Sequence, residues 1–222
     1  METAQKTKFT AMLHLQGELN SFINQDWLNA GYPFLRAAFV EAGEALDHYG
    51  WKWWKHQDPN LVQLQIELID ILHFYLSDVM VVSNGDLARS LISIEQELGQ
   101  GSVEFDGSVF SFVDLSLLEM LELLAGLAVM RRRSFGLLSE LMSRCEMTWD
   151  SAYVQYVSKN ILNVFRQRNG YKLGTYIKIW DGLEDNVWLE QTLQSLNSSS
   201  LTFSNDLLAK LDAKYKSVLC GG

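Results

Sequence analysis

An all-α fold, a helical bundle in one domain, follows from three observations. Long stretches of the 222-residue chain repeat apolar residues at helical spacing, only two prolines interrupt them, and 48% of residues are hydrophobic. Such a length suits one sizeable core, and such a pattern disfavours a sandwich or barrel of many short strands.

Phe9, Met12, Leu13, Leu19 and Ile23 predict a helix over about 10–24, with Gln16 and Asn20 on one face. After Asn29, Gly31 and Pro33, the segment from Phe34 to His48 is helical, and Gly50 marks its end. Asp58-Pro59-Asn60 starts the most apolar helix, about Leu61 to Val82. Ser83-Asn84-Gly85-Asp86 breaks it, and Leu87 to Leu98 reads as another helix. Gly99 to Asp106 reads as a glycine-bearing loop, an insertion or mobile cover. Asp114 to Met130 is apolar-periodic and ends in Arg131-Arg132-Arg133, cations that complement a helix C-terminus. Helices follow at Phe135–Cys145 and Thr148–Arg168, the latter closed by Asn169-Gly170. A short strand is expected within 175–180, then terminal helices over Glu184–Leu196 and Asn205–Val218, and a mobile Cys-Gly-Gly tail. The segment 83–148 stands as a variable central insertion in a single domain of residues 1–222.

A formal charge of −9, from 27 acids against 18 Lys plus Arg, speaks against a nucleic-acid polymer as partner, because a polyphosphate backbone needs a broad cationic surface. No apolar run reaches a membrane span and the N-terminus carries no signal-peptide core, so a soluble, cytoplasmic protein with no membrane partner is expected. Cys145 and Cys220 are too few for a disulfide framework or a zinc site.

The chemistry concentrates in two pairs of acids. Glu41 and Glu44 lie three residues apart on one helix, Glu67 and Asp70 three apart on the next. Each pair shares a helix face, and antiparallel packing across the 50–60 connection brings the pairs together. Four hard oxygen donors favour Mg²⁺, with Mn²⁺ as substitute, and Glu67 and Asp70 sit in a helix apolar on most sides. A solvated acidic face is the plainer reading of either pair alone.

These residues resemble a family. Glu41-x-x-Glu44, 22 residues, then Glu67-x-x-Asp70 is similar to the signature of the all-α nucleoside triphosphate pyrophosphohydrolases, the MazG-like superfamily. Trp51-Lys52-Trp53-Trp54-Lys55 and Ile66 through Phe74 resemble its dimeric dUTPases in particular, as do Lys159 through Arg166, Asn169-Gly170-Tyr171-Lys172 and Gly182-x-Glu184-Asp185-Asn186. The resemblance spans about residues 13–189 and thins between 83 and 148. It implies two or more Mg²⁺ per site, in-line hydrolysis of dUTP to dUMP and pyrophosphate, action on dUDP, an intertwined homodimer, and a role in nucleotide-pool sanitation and dTMP supply. It also places Tyr171 with the phosphate residues, and Gln16 and Asn20 at the nucleoside.

The residues support that division on their own terms. Lys159 to Lys178 carries Lys159, Arg166, Arg168, Lys172 and Lys178 with no acid, and Lys159, Asn163 and Arg166 recur on one helix face. Such a face suits phosphate oxygens, although an ordinary solvated basic face has the same composition. One of the four acids, with Glu44 preferred, is the candidate base for the attacking water. Gln16 and Asn20 offer amides to a pyrimidine edge, Trp54 a pocket wall, and His73 and Phe74 a lining for the deoxyribose. A dCTP-preferring or mixed enzyme, a non-catalytic helical interaction protein, and a di-iron carboxylate bundle are the alternatives. The last wants Glu-x-x-His pairs, which Glu67-x-x-Asp70 does not match. The helices at 87–98 and 114–130 look apolar and exposed enough for a subunit interface.

Overall fold

The computed structural model describes residues 1–198, 200 and 202–220, the last by its backbone alone. Among these are nine α-helices: α1 (Thr3–Ile23), α2 (Phe34–Tyr49), α3 (Leu61–Val82), α4 (Leu87–Leu98), α5 (Leu117–Val129), α6 (Phe135–Arg144), α7 (Trp149–Arg168), α8 (Asp185–Leu193) and α9 (Phe203–Cys220). The fold is all-α, with two small antiparallel hairpins, β1–β2 (Ser102–Phe105 and Ser108–Ser111) and β3–β4 (Ile179–Trp180 and Leu183–Glu184). The helical tail runs through Cys220, and the two glycines expected to be mobile lie outside the described residues.

The chain forms two compact units, residues 1–153 and 154–222. In the first, α3 is the central rod. Leu64, Leu68, Ile71, Leu72, Tyr75, Leu76 and Val79 are all fully buried along it, each large aliphatic contributing roughly 1.5–3 kcal/mol by leaving water. Helices α1, α2, α4 and α6 pack on it. Arg133 ties this assembly together, donating from Nη1 to Asp78 (2.6 Å) on α3 and from Nη2 to Ser93 (3.1 Å) on α4, with Glu97 2.9 Å away. The second unit has its own core of Leu162, Phe165, Trp180, Leu189, Leu207, Leu211 and Tyr215.

Three expectations need correction. Half of the 99–106 segment is strand β1. Its partner β2 is reached through Asp106 (φ 49°) and Gly107 (φ 74°), two consecutive left-handed residues that make a tight hairpin turn. The Asp-Gly dipeptide signals that turn, whereas composition alone reads as loop. Helix α5 begins at Leu117, not Asp114: Ser116 and Glu119 form a reciprocal capping box, and residues 112–114 make a 3₁₀ turn instead. Nor is α5 an exposed apolar helix. Met120, Leu121, Leu124, Leu127 and Ala128 are fully buried and the helix packs on α2 and α6 within the chain.

Candidate active site

Helices α2 and α3 pack closely, and their connection explains why. Gly50 ends α2 at φ +90°, where a side chain is strained and a Cβ would meet Gln57 Cβ at 3.0 Å. The Asn60 N–H donates to the His48 carbonyl at 2.8 Å, drawing the start of α3 to the end of α2, and the Asn60 side chain caps α3 by accepting from Gln63 N. The consequence is a group of three carboxylates, Glu41, Glu67 and Asp70, whose oxygens lie within 4.8 Å of one another. Glu67 is buried, and Glu41 and Asp70 are half-buried. Glu44 is exposed and stands outside this group, one turn beyond Glu41.

His48 joins the cluster without having been anticipated. Its Nε2 lies 3.3 Å from Glu67 Oε1. The signal was present: Glu41, Glu44 and His48 recur at spacings of three and four along α2, one helix face. Oxygen ligands crowded this closely are what a hard divalent cation requires, since like charges at such distances repel without one.

Farther along α3 lies a buried polar chain. Gln16 and Asn20 occupy the buried stripe of α1 beside Phe9, Met12, Leu13 and Leu19, an apolar position given to amides. His73 Nδ1 lies 2.7 Å from Gln16 Oε1, Gln16 Nε2 donates to Asn20 Oδ1 (3.0 Å), and Asn20 Nδ2 donates to Ser77 Oγ (3.0 Å). Glu67, Asp70, His73 and Ser77 thus follow one another on α3 at spacings of three, three and four. Asn20 also lines a cavity of about 240 Å³ whose other walls are Ile23, Trp27, Tyr32 and Phe34. Sequence reasoning missed this aromatic wall, although Trp27 is buried and packs edge-on against Phe34 at 6.2 Å. Trp54, expected there, is instead 57% exposed, in edge-to-face contact with Trp51 and Trp53. Phe74 is half-buried beside His73 in sequence but turned about 100° from it on the helix.

The basic segment belongs to the second unit. Arg166 is buried and bound bidentately by Asp185, Nε to Oδ2 and Nη2 to Oδ1, both at 2.7 Å, and it also donates to Asn163 and Asn186. The Tyr176 hydroxyl donates to the same carboxylate at 2.8 Å, and burial, then the Asp185 charge, pushes this phenol far above its ordinary range. The guanidinium expected at phosphate therefore has an internal counter-ion. Lys159 is buried and donates to Asn186 (3.0 Å), Lys178 pairs with Glu184 (3.0 Å), and Lys172 and Tyr171 are exposed on a 3₁₀ turn.

The family model described as dUTPase matches residues 8–171, nearly three quarters of the chain. The chain belongs to the all-α dUTPase family. No individually curated protein matches it. As a dUTPase the protein is a dUTP diphosphatase, and the reading as a non-catalytic interaction protein falls. The matched span includes residues 83–148, where the resemblance seen in sequence is thin. It takes in both acid pairs, the Gln16–Asn20–His73–Ser77 chain and α7. Lys172, Lys178 and Asp185 lie past its end.

Proposed function

We propose that the protein hydrolyses dUTP, and dUDP as well, to dUMP in a Mg²⁺-dependent reaction centred on Glu41, Glu67 and Asp70, releasing pyrophosphate from dUTP. The observation that carries this is the gathering of three carboxylates from two helices within 4.8 Å, in a chain of this family. The donor set fits the cation: all oxygen, clustered, and held on packed helices. When bound, Mg²⁺ neutralises phosphate charge and draws the phosphoryl oxygens into place. Glu44, outside the three-acid group but on the same helix, is the base that accepts the proton of the attacking water as the α–β anhydride breaks. His48 holds the Glu67 carboxylate in position. Lys159, Lys172 and Lys178, with Asn163 and Tyr171, serve the phosphates, and Arg166 serves by organising Asn163 and Asn186. The chain of Gln16, Asn20 and His73, with Phe74 beside it and Trp54 at the mouth, receives the nucleoside.

The protein works as a homodimer in this reading, supported by apolar side chains left in water at Phe39 (42% exposed), Val40 (48%) and Trp53 (90%). Among the described residues no helix is long and apolar enough to cross a membrane. Purified protein incubated with dUTP, dUDP or dCTP, with Mg²⁺ or with a chelator, tests the reading by release of pyrophosphate or phosphate. Turnover of dUTP only with the divalent cation is expected. Undiminished turnover in chelator, or in Glu67→Gln, would overturn it; sedimentation of the free protein as a monomer would overturn the dimer.

A further inference from the structure

The buried chain has a direction, and the direction has a source. The Ser77 hydroxyl donates to the His73 carbonyl at 3.0 Å. A hydroxyl has one hydrogen, so toward Asn20 the same oxygen acts as acceptor. Asn20 must therefore turn its Nδ2 to Ser77 and its Oδ1 to Gln16, and Gln16 must turn its Nε2 to Asn20 and its Oε1 to His73. His73 completes the sequence as the Nδ1–H tautomer. Every step is forced by the one before it. Reversing Asn20 alone would set its amide nitrogen against that of Gln16, two donors at hydrogen-bond distance in a buried site.

A side-chain amide turned by half a revolution exchanges donor for acceptor. That exchange is what separates the two pyrimidines: cytosine carries an amino donor where uracil carries a carbonyl acceptor. A freely turning Asn20 would serve either edge. Asn20 is also the member of the chain that lines the 240 Å³ aromatic-walled cavity.

We propose that Ser77 is a specificity-setting positioning residue, its hydroxyl fixing the direction of the Asn20–Gln16–His73 chain so that Asn20 meets a pyrimidine edge in one orientation only. Ser77 is fully buried and acts through Asn20, without touching the nucleotide. The inference rests on the reading of this pocket as the base site of a dUTP-hydrolysing enzyme, where the selected edge is that of uracil.

Two measurements test it. In Ser77→Ala the ratio of kcat/KM for dUTP over dCTP should fall about tenfold, by a rise for dCTP, because Asn20 is released to turn. Ser77→Thr, which restores the hydroxyl, should recover the wild-type ratio. Separately, ¹⁵N NMR of the ring nitrogens in nucleotide-free wild-type protein should show His73 protonated at Nδ1, and Ser77→Ala should shift it toward a mixture of tautomers. An unchanged substrate ratio in Ser77→Ala, or a wild-type His73 that carries its hydrogen on Nε2 alone, would overturn the proposal. If wild-type protein turns over neither nucleotide, the assignment of the base site fails, while the NMR experiment still decides the direction of the chain on its own.

Discussion

The three-acid cluster on α2 and α3 and the Arg166–Asp185 pair in the second unit are both concentrations of formal charge on helices, yet they are built on opposite plans. In the first, Glu41, Glu67 and Asp70 bring like charges within 4.8 Å. In the second, an arginine is met by a fully buried carboxylate through two 2.7 Å bonds, with Tyr176, Asn163 and Asn186 absorbing remaining donors and acceptors. In the proposed reading a divalent cation from outside the chain completes the first cluster. The other is complete within it. Net charge and residue type do not separate the two cases; what does is whether a group gathers carboxylates, as at Glu41, Glu67 and Asp70, or pairs an arginine with one, as at Arg166 and Asp185.

The largest expected effect comes from breaking the internally completed pair. Asp185→Asn leaves a buried guanidinium without its counter-ion and should lower unfolding free energy by about 3–5 kcal/mol, read by urea denaturation, and replacing both partners with apolar residues should recover much of that. Glu67→Gln sharpens the contrast from the other side. It should cut dUTP turnover by more than about 100-fold, since even partners one step removed from a metal are worth 10–100-fold, while costing the metal-free protein far less stability than Asp185→Asn does. Adding Mg²⁺ at about 100 times its Kd should stabilise wild-type protein by about 2.7 kcal/mol, seen as a raised Tm, and this gain should vanish in Glu67→Gln but survive in a folded Arg166–Asp185 variant. His48→Ala should weaken metal affinity by roughly 10–100-fold with a modest change in stability, measured by titration calorimetry. Smallest of all, Lys178→Ala removes an exposed pair with Glu184 and should change stability by less than about 1 kcal/mol. Any larger loss of activity than of stability in that variant would mark Lys178 as a phosphate contact.

Much of this was legible in the sequence, for identifiable reasons. Helices α2, α3 and α4 lie within a residue of where periodicity and caps place them, because Gly50, Asn60 and Asp86 carry local signals that need no tertiary information. The acid pairs were legible because i, i+3 spacing is a property of one helix. What escaped depends on contacts between distant segments. The counter-ion of Arg166 is 19 residues away on another helix, so a run free of acids in sequence is not free of them in space. His48 reads as an ordinary residue near a helix end until α3 is laid against it. Ser77, 57 residues from Asn20, carries no mark at all. The hairpin at 102–111 is a different case: its composition is that of a loop, and the Asp106-Gly107 turn is what marks it as paired strands.

Helix α3 carries two acids of the three-carboxylate cluster and, one and two turns on, His73 and Ser77. At 1.5 Å of rise per residue, Glu67 and Ser77 stand about 15 Å apart along one rod, a span no side-chain rotation can alter. The helix is therefore a ruler graduated at one end for charge and at the other for a ring. Deleting a single residue between Asp70 and His73 would swing one set of marks about 100° relative to the other, leaving each set of residues in the chain but no common face for them to read.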